Sequence, residues 1–379
     1  MSGHSIFAPS SMSVLVKCHG SLMMSSGIEE EESNASREGT AAHWVAAKLL
    51  SSDVVTVGEV AENGVIVDEQ MIDGAQVYFD HIDKIIGESW NAPVVVEQPV
   101  AITRINPDCW GTPDAWWFDR HNGVLHVWDY KYGHERVVAN GNWQGAAYET
   151  GVLDALDLKE EAKDLLTIKF HIVQPRCFDG QGPIHTWTTN RADLRAYVNV
   201  MEYACLRALS SDVTVTSGSH CTNCLARHKC DAASAAAAAA LDYSMSAVPR
   251  ELTPVGLMYE EMMLAEAATR IKTRQEALLA EIEARLRNGE QIPGRMLKPK
   301  CGHRKWLVDD EMVYSVGDMI GVDFRDTKPV TPSKADDIVK KASVDNSVIA
   351  DYYGKKQTGM EVVVDDGSIA RNIFGKGEI

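Results

Sequence analysis

The sequence has no apolar run approaching the roughly eighteen residues a membrane helix needs, so no membrane span is expected. It opens Met-Ser-Gly-His-Ser, with no basic stretch leading into an apolar one, and no secretory signal is expected either. Cations are the scarcer charge: 37 Lys and Arg against 54 Asp and Glu give a net charge of −17. That excludes broad coating of a nucleic acid, because phosphates are met by Lys and Arg, but it leaves room for a local basic groove. The 8 cysteines are too few for a disulfide framework in a chain of this size. In a chain expected to be cytoplasmic they read as ligands or buried thiols. No repeat at solenoid period occurs. What is present is an apolar fraction of 45% over 379 residues, enough for a soluble globular core and about two domains.

The stretch from Gly111 to Tyr148 carries the chemistry. It reads Gly-Thr-Pro-Asp-Ala-Trp-Trp, then Val-Trp-Asp-Tyr-Lys-Tyr-Gly, then Trp-Gln-Gly-Ala-Ala-Tyr. Asp114 opens one apolar, aromatic run, and Asp129 and Lys131 close the next. Residues two apart on a strand share a face, so Asp129 and Lys131 point the same way. A hairpin loop at His121-Asn122-Gly123 brings Asp114 back beside them. Two carboxylates at one site suit Mg²⁺ or Mn²⁺, which prefer oxygen ligands. An adjacent ammonium can orient or deprotonate water, or stabilise charge on a phosphorane. The grouping fits metal-assisted phosphodiester hydrolysis; two ordinary strands with an edge ion pair are the alternative. Gln144 and Tyr148, four apart on a helix predicted over 142–158, project from one face, either toward the site or to solvent.

At these residues the chain resembles the PD-(D/E)XK nuclease superfamily, in its RecB-like branch. Asp114 stands at the first acid of that family, Asp129-Tyr130-Lys131 matches its D-x-K, and Gln144 and Tyr148 match the Q-x-x-x-Y of RecB-like and CRISPR-adaptation exonucleases. Gly39 and His43 have the spacing of the family's G-x-x-x-H, whose histidine is a metal ligand. Taken alone, His43 reads as a core residue one turn into a helix capped by Thr40. The resemblance implies an αβββαβ restriction-endonuclease-like core. It also implies that His43, Asp114, Asp129 and the Tyr130 carbonyl bind Mg²⁺ or Mn²⁺, with Lys131 as the residue that positions or activates water.

His220-Cys221-Thr-Asn-Cys224-Leu-Ala-Arg-His-Lys-Cys230 places three cysteines at metal-ligand spacing. By spacing alone, zinc completed by His220 or His228 competes with a [4Fe–4S] cluster completed by a distant thiolate. Iron–sulfur nucleases of the AddB and CRISPR-adaptation type pair one cysteine before the core with such a trio after it. Cys18 lies in that place, which implies a cluster held by Cys18, Cys221, Cys224 and Cys230 as a structural staple. Cys18-His-Gly-Ser, Gln174-Pro-Arg, Ile292-Pro-Gly and Arg304-Lys-Trp306 extend the likeness to a phage and prophage family, strongest across 10–230. His19 departs from the proline usual after that first cysteine.

In chain order the periodicity predicts helices over 68–89, 142–158, 191–209, 255–288 and 332–342, and β-rich runs over 94–105 and 166–173. Glu97, in the first β-run, could point toward the site. The Ala-rich 232–240 is a helix continuation or a linker. Leu264, Ala268, Ile271, Leu278, Ile282 and Leu286 form a stripe on the 255–288 helix, ended by Gly289. The segment 295–306 carries five Lys or Arg and no acid, which suits a phosphate contact, and Trp306 could stack on a base or be buried.

The expected organisation is a nuclease domain over 1–240 and a mainly helical extension over 250–379. The expected function is a metal-dependent deoxyribonuclease, an exonuclease on single strands or ends, working in a bacterial host with a recombination or replication partner. The rivals are a catalytically silent DNA-binding accessory protein that keeps the fold, and a zinc-stapled module that binds a partner through the 255–288 helix.

Overall fold

The computed structural model describes residues 5–28, 33–87, 93–177, 182–245, 251–325, 330–342, 344–345 and 347–364, with the side chains of 300–305, 333, 337 and 355–364 outside that description. The chain divides into two compact units, Met1–Ala277 and Leu278–Ile379. The sequence reading places the break earlier, between 240 and 250. Residues 246–250 lie outside the described residues, as does the acidic run 29–32.

The first unit opens with two short helices, α1 (Met12–Leu15) and α2 (Ser21–Ser25), followed by α3 (Asn34–Leu50) and α4 (Glu69–Ile86). Short strands β1 (Val95–Val96), β2 (Val100–Ala101) and β3 (Trp110–Gly111) lead into the hairpin of β4 (Ala115–Asp119) and β5 (Val124–Tyr130). Then come α5 (Trp143–Ala155), α6 (Glu160–Lys163), β6 (Thr167–Val173), β7 (Ile184–Thr189), α7 (Arg191–Ala208), α8 (Asp231–Ser244) and α9 (Pro254–Arg287). The main sheet has the order β1-β4-β5-β6-β7. Only the β5–β6 pair is parallel, and α5 makes the crossover that a parallel pair requires. The class is mixed α/β: β1, β4 and β5 of the main sheet precede α5, β6 and β7 follow it, and β2 and β3 form a separate two-stranded sheet.

The hairpin forms where expected. Asp119 accepts hydrogen bonds from the N–H groups of His121 and Asn122, and Gly123 takes a φ of +65°, so the turn pairs Asp119 with Val124 and Ala115 with Trp128. Strand β5 is buried on both faces, which is why it reads as a continuous apolar run. Leu125 and Val127 join a core with Phe170, Ile172, α5 and α7, while Trp128 and Tyr130 join a second core with Val45, Tyr78 and Ile82.

Two local expectations change. Thr40 does not cap α3: Ser33 does, accepting from Ser36 N, and the Thr40 hydroxyl bonds back to Ser36 O inside the helix. The Ala-rich segment is helix α8 and not a linker. On the part of α9 in this unit, Leu264 and Ala268 of the expected stripe are exposed, while Ala267 and Ala277 are buried. Between them Arg274 donates to the carbonyls of Arg227 (3.1 Å) and His228 (2.6 Å). The helix docks through small residues and an arginine onto a polar turn, so a hydrophobic stripe picks the wrong face.

The second unit takes in the end of α9 and then β8 (Arg295–Trp306), α10 (Asp310–Ile320), α11 (Pro332–Lys341), α12 (Ser347–Ala350) and β9 (Tyr353–Val364). β8 and β9 pair as an antiparallel ribbon, from Arg295 opposite Val364 to Trp306 opposite Tyr353. The extension is therefore helical plus a ribbon, and the basic segment is a strand. Trp306 donates its indole N–H to Val330 O at 2.8 Å and packs on Phe324, in a small core with Val313, Val316 and Ile349. That is its packing role, not base stacking; the side chains at 300–305 lie outside the described residues. Among the described residues no helix is long and apolar enough to cross a membrane.

Candidate functional site

The site lies at the end of β5, where the β4–β5 register sets Asp114 beside Asp129. Lys131 N–H donates to Val173 O at 2.9 Å, extending the parallel ladder one residue past β5 and fixing the lysine backbone. Asp114 Oδ2 accepts from the Tyr130 N–H at 2.6 Å, and its Oδ1 lies 3.1 Å from His43 Nδ1 on α3. Asp129 is only 2% exposed. Its Oδ1 accepts from Lys131 Nζ at 3.1 Å. Its Oδ2 stands 2.9 Å from the same ammonium, but off the angle a hydrogen bond needs, and has no hydrogen-bond partner. Lys131 Nζ also donates to Gln144 Oε1 at 3.2 Å, and Gln144 Nε2 donates to the Tyr148 hydroxyl at 3.4 Å. Asn142 caps α5 by accepting from Gly145 N, so Gln144 occupies the first turn. The alternative of a solvent face for this pair fails, since α5 is buried from Gly145 to Leu153.

Burial pulls the two carboxyls up, but their neighbours separate them. At Asp114 burial is outweighed by His43, Lys131 and the Tyr130 N–H, and the carboxyl sits below its ordinary range. At Asp129 burial prevails over Lys131, with Asp114 adding repulsion, and the carboxyl sits above it. Burial would deprotonate Lys131, yet Asp129 and Asp114 hold it raised, as an ammonium. His43 is likewise raised: burial lowers it, and Asp114 more than reverses that. Two largely buried carboxylates share the one Lys131 ammonium here, and Asp129 Oδ2 meets it without a hydrogen bond, which leaves oxygen lone pairs that a metal cation could take.

Glu97 joins this group. Its φ is +47°, a left-handed conformation that a glutamate seldom adopts, and its N–H donates to Asp114 O at 3.1 Å. One oxygen each of Glu97 and Asp114 and one nitrogen of His43 lie within 4.8 Å of one another. The residue as a whole is exposed, yet its carboxyl is pushed up to about 7, first by burial of that group and then by Asp114. The sequence allows Glu97 to point toward the site; the backbone turn that aims it has no signature in residue type.

The cysteines converge elsewhere in this unit. Cys18, just past α1, lines one small cavity with Cys221, Cys224 and Cys230. Gly20 N–H bonds to Thr214 O at 3.0 Å and Thr216 N–H to Cys18 Sγ at 3.4 Å, so the segment before the sheet is tied to the segment after α7. All four thiols are free. Burial pushes Cys221 and Cys224 up, and the neighbouring thiols add to it. His220 lines the same cavity, with its Nε2 3.1 Å from Thr216 O.

Thus His43, Asp114, Asp129, Lys131, Gln144 and Tyr148 are brought together, as are the four cysteines. The chain is similar to the crystal structure of a Eubacterium rectale protein described as a candidate exonuclease, at 12% identity and a TM-score of 0.34, over 66% of this chain and 92% of that one. It is also similar to the crystal structure of SSO0001, at 13% identity and a TM-score of 0.24, over 58% of this chain and 96% of that one. The family of proteins of unknown function DUF2800 matches residues 4–368, and the chain belongs to that family.

Proposed function

We propose that this protein is a metal-dependent nuclease of the PD-(D/E)XK type that hydrolyses phosphodiester bonds of DNA, as an exonuclease on single strands or ends. The observation that carries the reading is the pair of largely buried carboxylates, Asp114 and Asp129, at one end of the sheet beside Lys131, with Asp129 Oδ2 held at the ammonium by charge and not by a hydrogen bond. Ligand atoms of His43, Asp114 and Glu97 lie within 4.8 Å of one another, an oxygen-rich set that fits Mg²⁺ or Mn²⁺; we assign the neighbouring Asp129 carboxylate and the Tyr130 carbonyl as the further ligands. When bound, the ion supplies Lewis acidity and a lowered pKa for coordinated water. Lys131, held as an ammonium, suits orienting the attacking water and stabilising the charge that develops on phosphorus better than it suits taking a proton. Gln144 fixes the lysine and Tyr148 fixes Gln144, so both are positioning residues. A role in phage recombination or replication, with a protein partner, belongs to the same proposal.

The four cysteines we assign to a [4Fe–4S] cluster that staples the two flanks of the nuclease unit. Four buried or half-buried thiols at one cavity support it. Zinc is the alternative that metal analysis separates.

The test is degradation of end-labelled single- and double-stranded DNA in Mn²⁺, Mg²⁺ and EDTA by the wild type, Asp114→Ala and Lys131→Ala. Metal-dependent cleavage lost in both variants, with their folds intact, is the expected result. Cleavage retained in both contradicts the assignment, and salt-sensitive binding without cleavage moves it to a silent accessory protein.

A further inference from the structure

The Gln174-Pro175-Arg176 segment follows β6 and takes no part in the metal centre, yet it is built with unusual economy. Gln174 is 1% exposed, and its carboxamide makes three hydrogen bonds to the loop that follows Lys131. Its Nε2 donates to the carbonyls of Gly133 (2.8 Å) and Glu135 (2.6 Å), and its Oε1 accepts from Val137 N at 3.0 Å. Pro175 packs against Gly74 of α4 so closely that a Cβ there would lie 3.1 Å from the proline ring. Arg176 lies over Tyr132, its guanidinium carbon 4.3 Å from the ring centre, and also hydrogen-bonds the Tyr132 hydroxyl.

Two rings, Tyr132 and Tyr130, link Arg176 to His43 of the site. The His43 ring meets the Tyr130 ring edge-on at 5.3 Å, and Tyr130 meets Tyr132 at 6.4 Å. The partners of Arg176 leave its charge nearly whole. His134 Nδ1 donates to the Arg176 carbonyl at 3.1 Å, and its Nε2 accepts from the guanidinium at 2.6 Å. Among the described residues the acid paired with it is Glu38, 3.7 Å away and 49% exposed, a loose surface pair of little strength. A guanidinium oriented by stacking, with a weakly held acid at its open edge, is suited to forked recognition of a phosphate.

We propose that Arg176 binds a backbone phosphate of the DNA strand beside the scissile position, displacing Glu38, and that Gln174 is the positioning residue that holds the surrounding loop. The proposal rests on the nuclease reading above. In a chain of net charge −17, such a contact has to be local.

The experiment measures fluorescence anisotropy of a labelled single-stranded oligodeoxynucleotide in Mn²⁺ across a salt series, in the non-cleaving Lys131→Ala background. Arg176→Ala is expected to weaken binding on the order of tenfold and to make the salt slope shallower by roughly 0.7, the value for one phosphate contact on a single strand. Arg176→Lys recovers part of the loss. Glu38→Gln tightens binding a few-fold, a gain that a purely structural arginine would not give. In the Lys131-intact enzyme, Gln174→Ala raises KM more than it lowers kcat. Equal thermal unfolding of the variants separates these effects from misfolding. Unchanged affinity and slope in Arg176→Ala, with a parent that binds and a wild type that cleaves, overturns the subsite and leaves the nuclease standing. A parent that binds no oligonucleotide, with a wild type that cleaves none, overturns both.

Discussion

Gln144 Oε1 accepts a hydrogen bond from Lys131 Nζ at 3.2 Å, and the reach depends on how closely α5 lies on the sheet. The neighbouring Gly145 makes that possible: a Cβ there would fall 2.6 Å from the Phe170 ring of β6. Gly145→Ala must push the helix or the ring aside. The expected cost is about 1–3 kcal/mol, read by denaturant unfolding. Because Gln144 moves with the helix, cleavage should fall more than unfolding alone explains.

Glu149, on the same helix, is fully buried with neither carboxylate oxygen hydrogen-bonded, and burial raises its carboxyl well above the ordinary range. It stays protonated in the fold, whereas the unfolded chain ionises it near pH 4.3. The folded state therefore binds the extra proton, and stability falls as pH rises above that value. Glu149→Met should stabilise the protein by roughly 1–3 kcal/mol at pH 7, with a smaller gain at pH 4. Thermal unfolding at the two pH values checks both sign and trend.

His126 and His171 stack on the α4 side of the sheet, 5.2 Å between centres, with Nδ1 of the first 3.0 Å from Nε2 of the second. Burial, first, lowers them to about 4 and about 2, with Lys169 also acting against His126 and His126 against His171. Both are neutral in the fold, and the unfolded chain takes up protons below about 6.5. The stability they contribute is present above that pH and is lost as pH falls toward 4, at roughly 1.4 kcal/mol per unit for one proton. His126→Phe keeps the stack and should flatten the loss measured by chemical denaturation between pH 6.5 and 4.

Cys224→Ser removes one of the four sulfurs at the shared cavity. The variant, prepared without oxygen, should lose the brown colour of a thiolate-bound iron–sulfur cluster and be less soluble, since the N-terminal flank is no longer stapled. A colourless wild type carrying zinc would replace the cluster with a zinc site.

The parts of the site that came from local periodicity were legible. Asp129 and Lys131 share a strand face at a spacing of two, Gln144 and Tyr148 share a helix face at a spacing of four, and His121-Asn122-Gly123 marks the turn that returns Asp114 to them. What escaped depends on contacts distant in sequence. Glu97 is named as a residue that could face the site, but the left-handed backbone and the pairing with Asp114 that bring it there are not legible. Arg274 turns α9 by binding two carbonyls of the cysteine-bearing turn, against the helix's own apolar stripe. Trp306 belongs to a strand whose partner begins at Tyr353, so its segment looked like a basic loop. Thr40 resembles a cap only until Ser33 is seen to start the helix.

The account turns on the Asp129 carboxylate, whose Oδ2 is ion-paired with Lys131 but not hydrogen-bonded, completing a divalent-cation site, and calorimetric titration of Mn²⁺ into the wild type and Asp129→Asn tests it most directly. The expected result is saturable binding by the wild type and a loss of affinity of tenfold or more in the variant, whose side chain keeps its shape but not its charge. Equal Mn²⁺ affinity in the two proteins would contradict it.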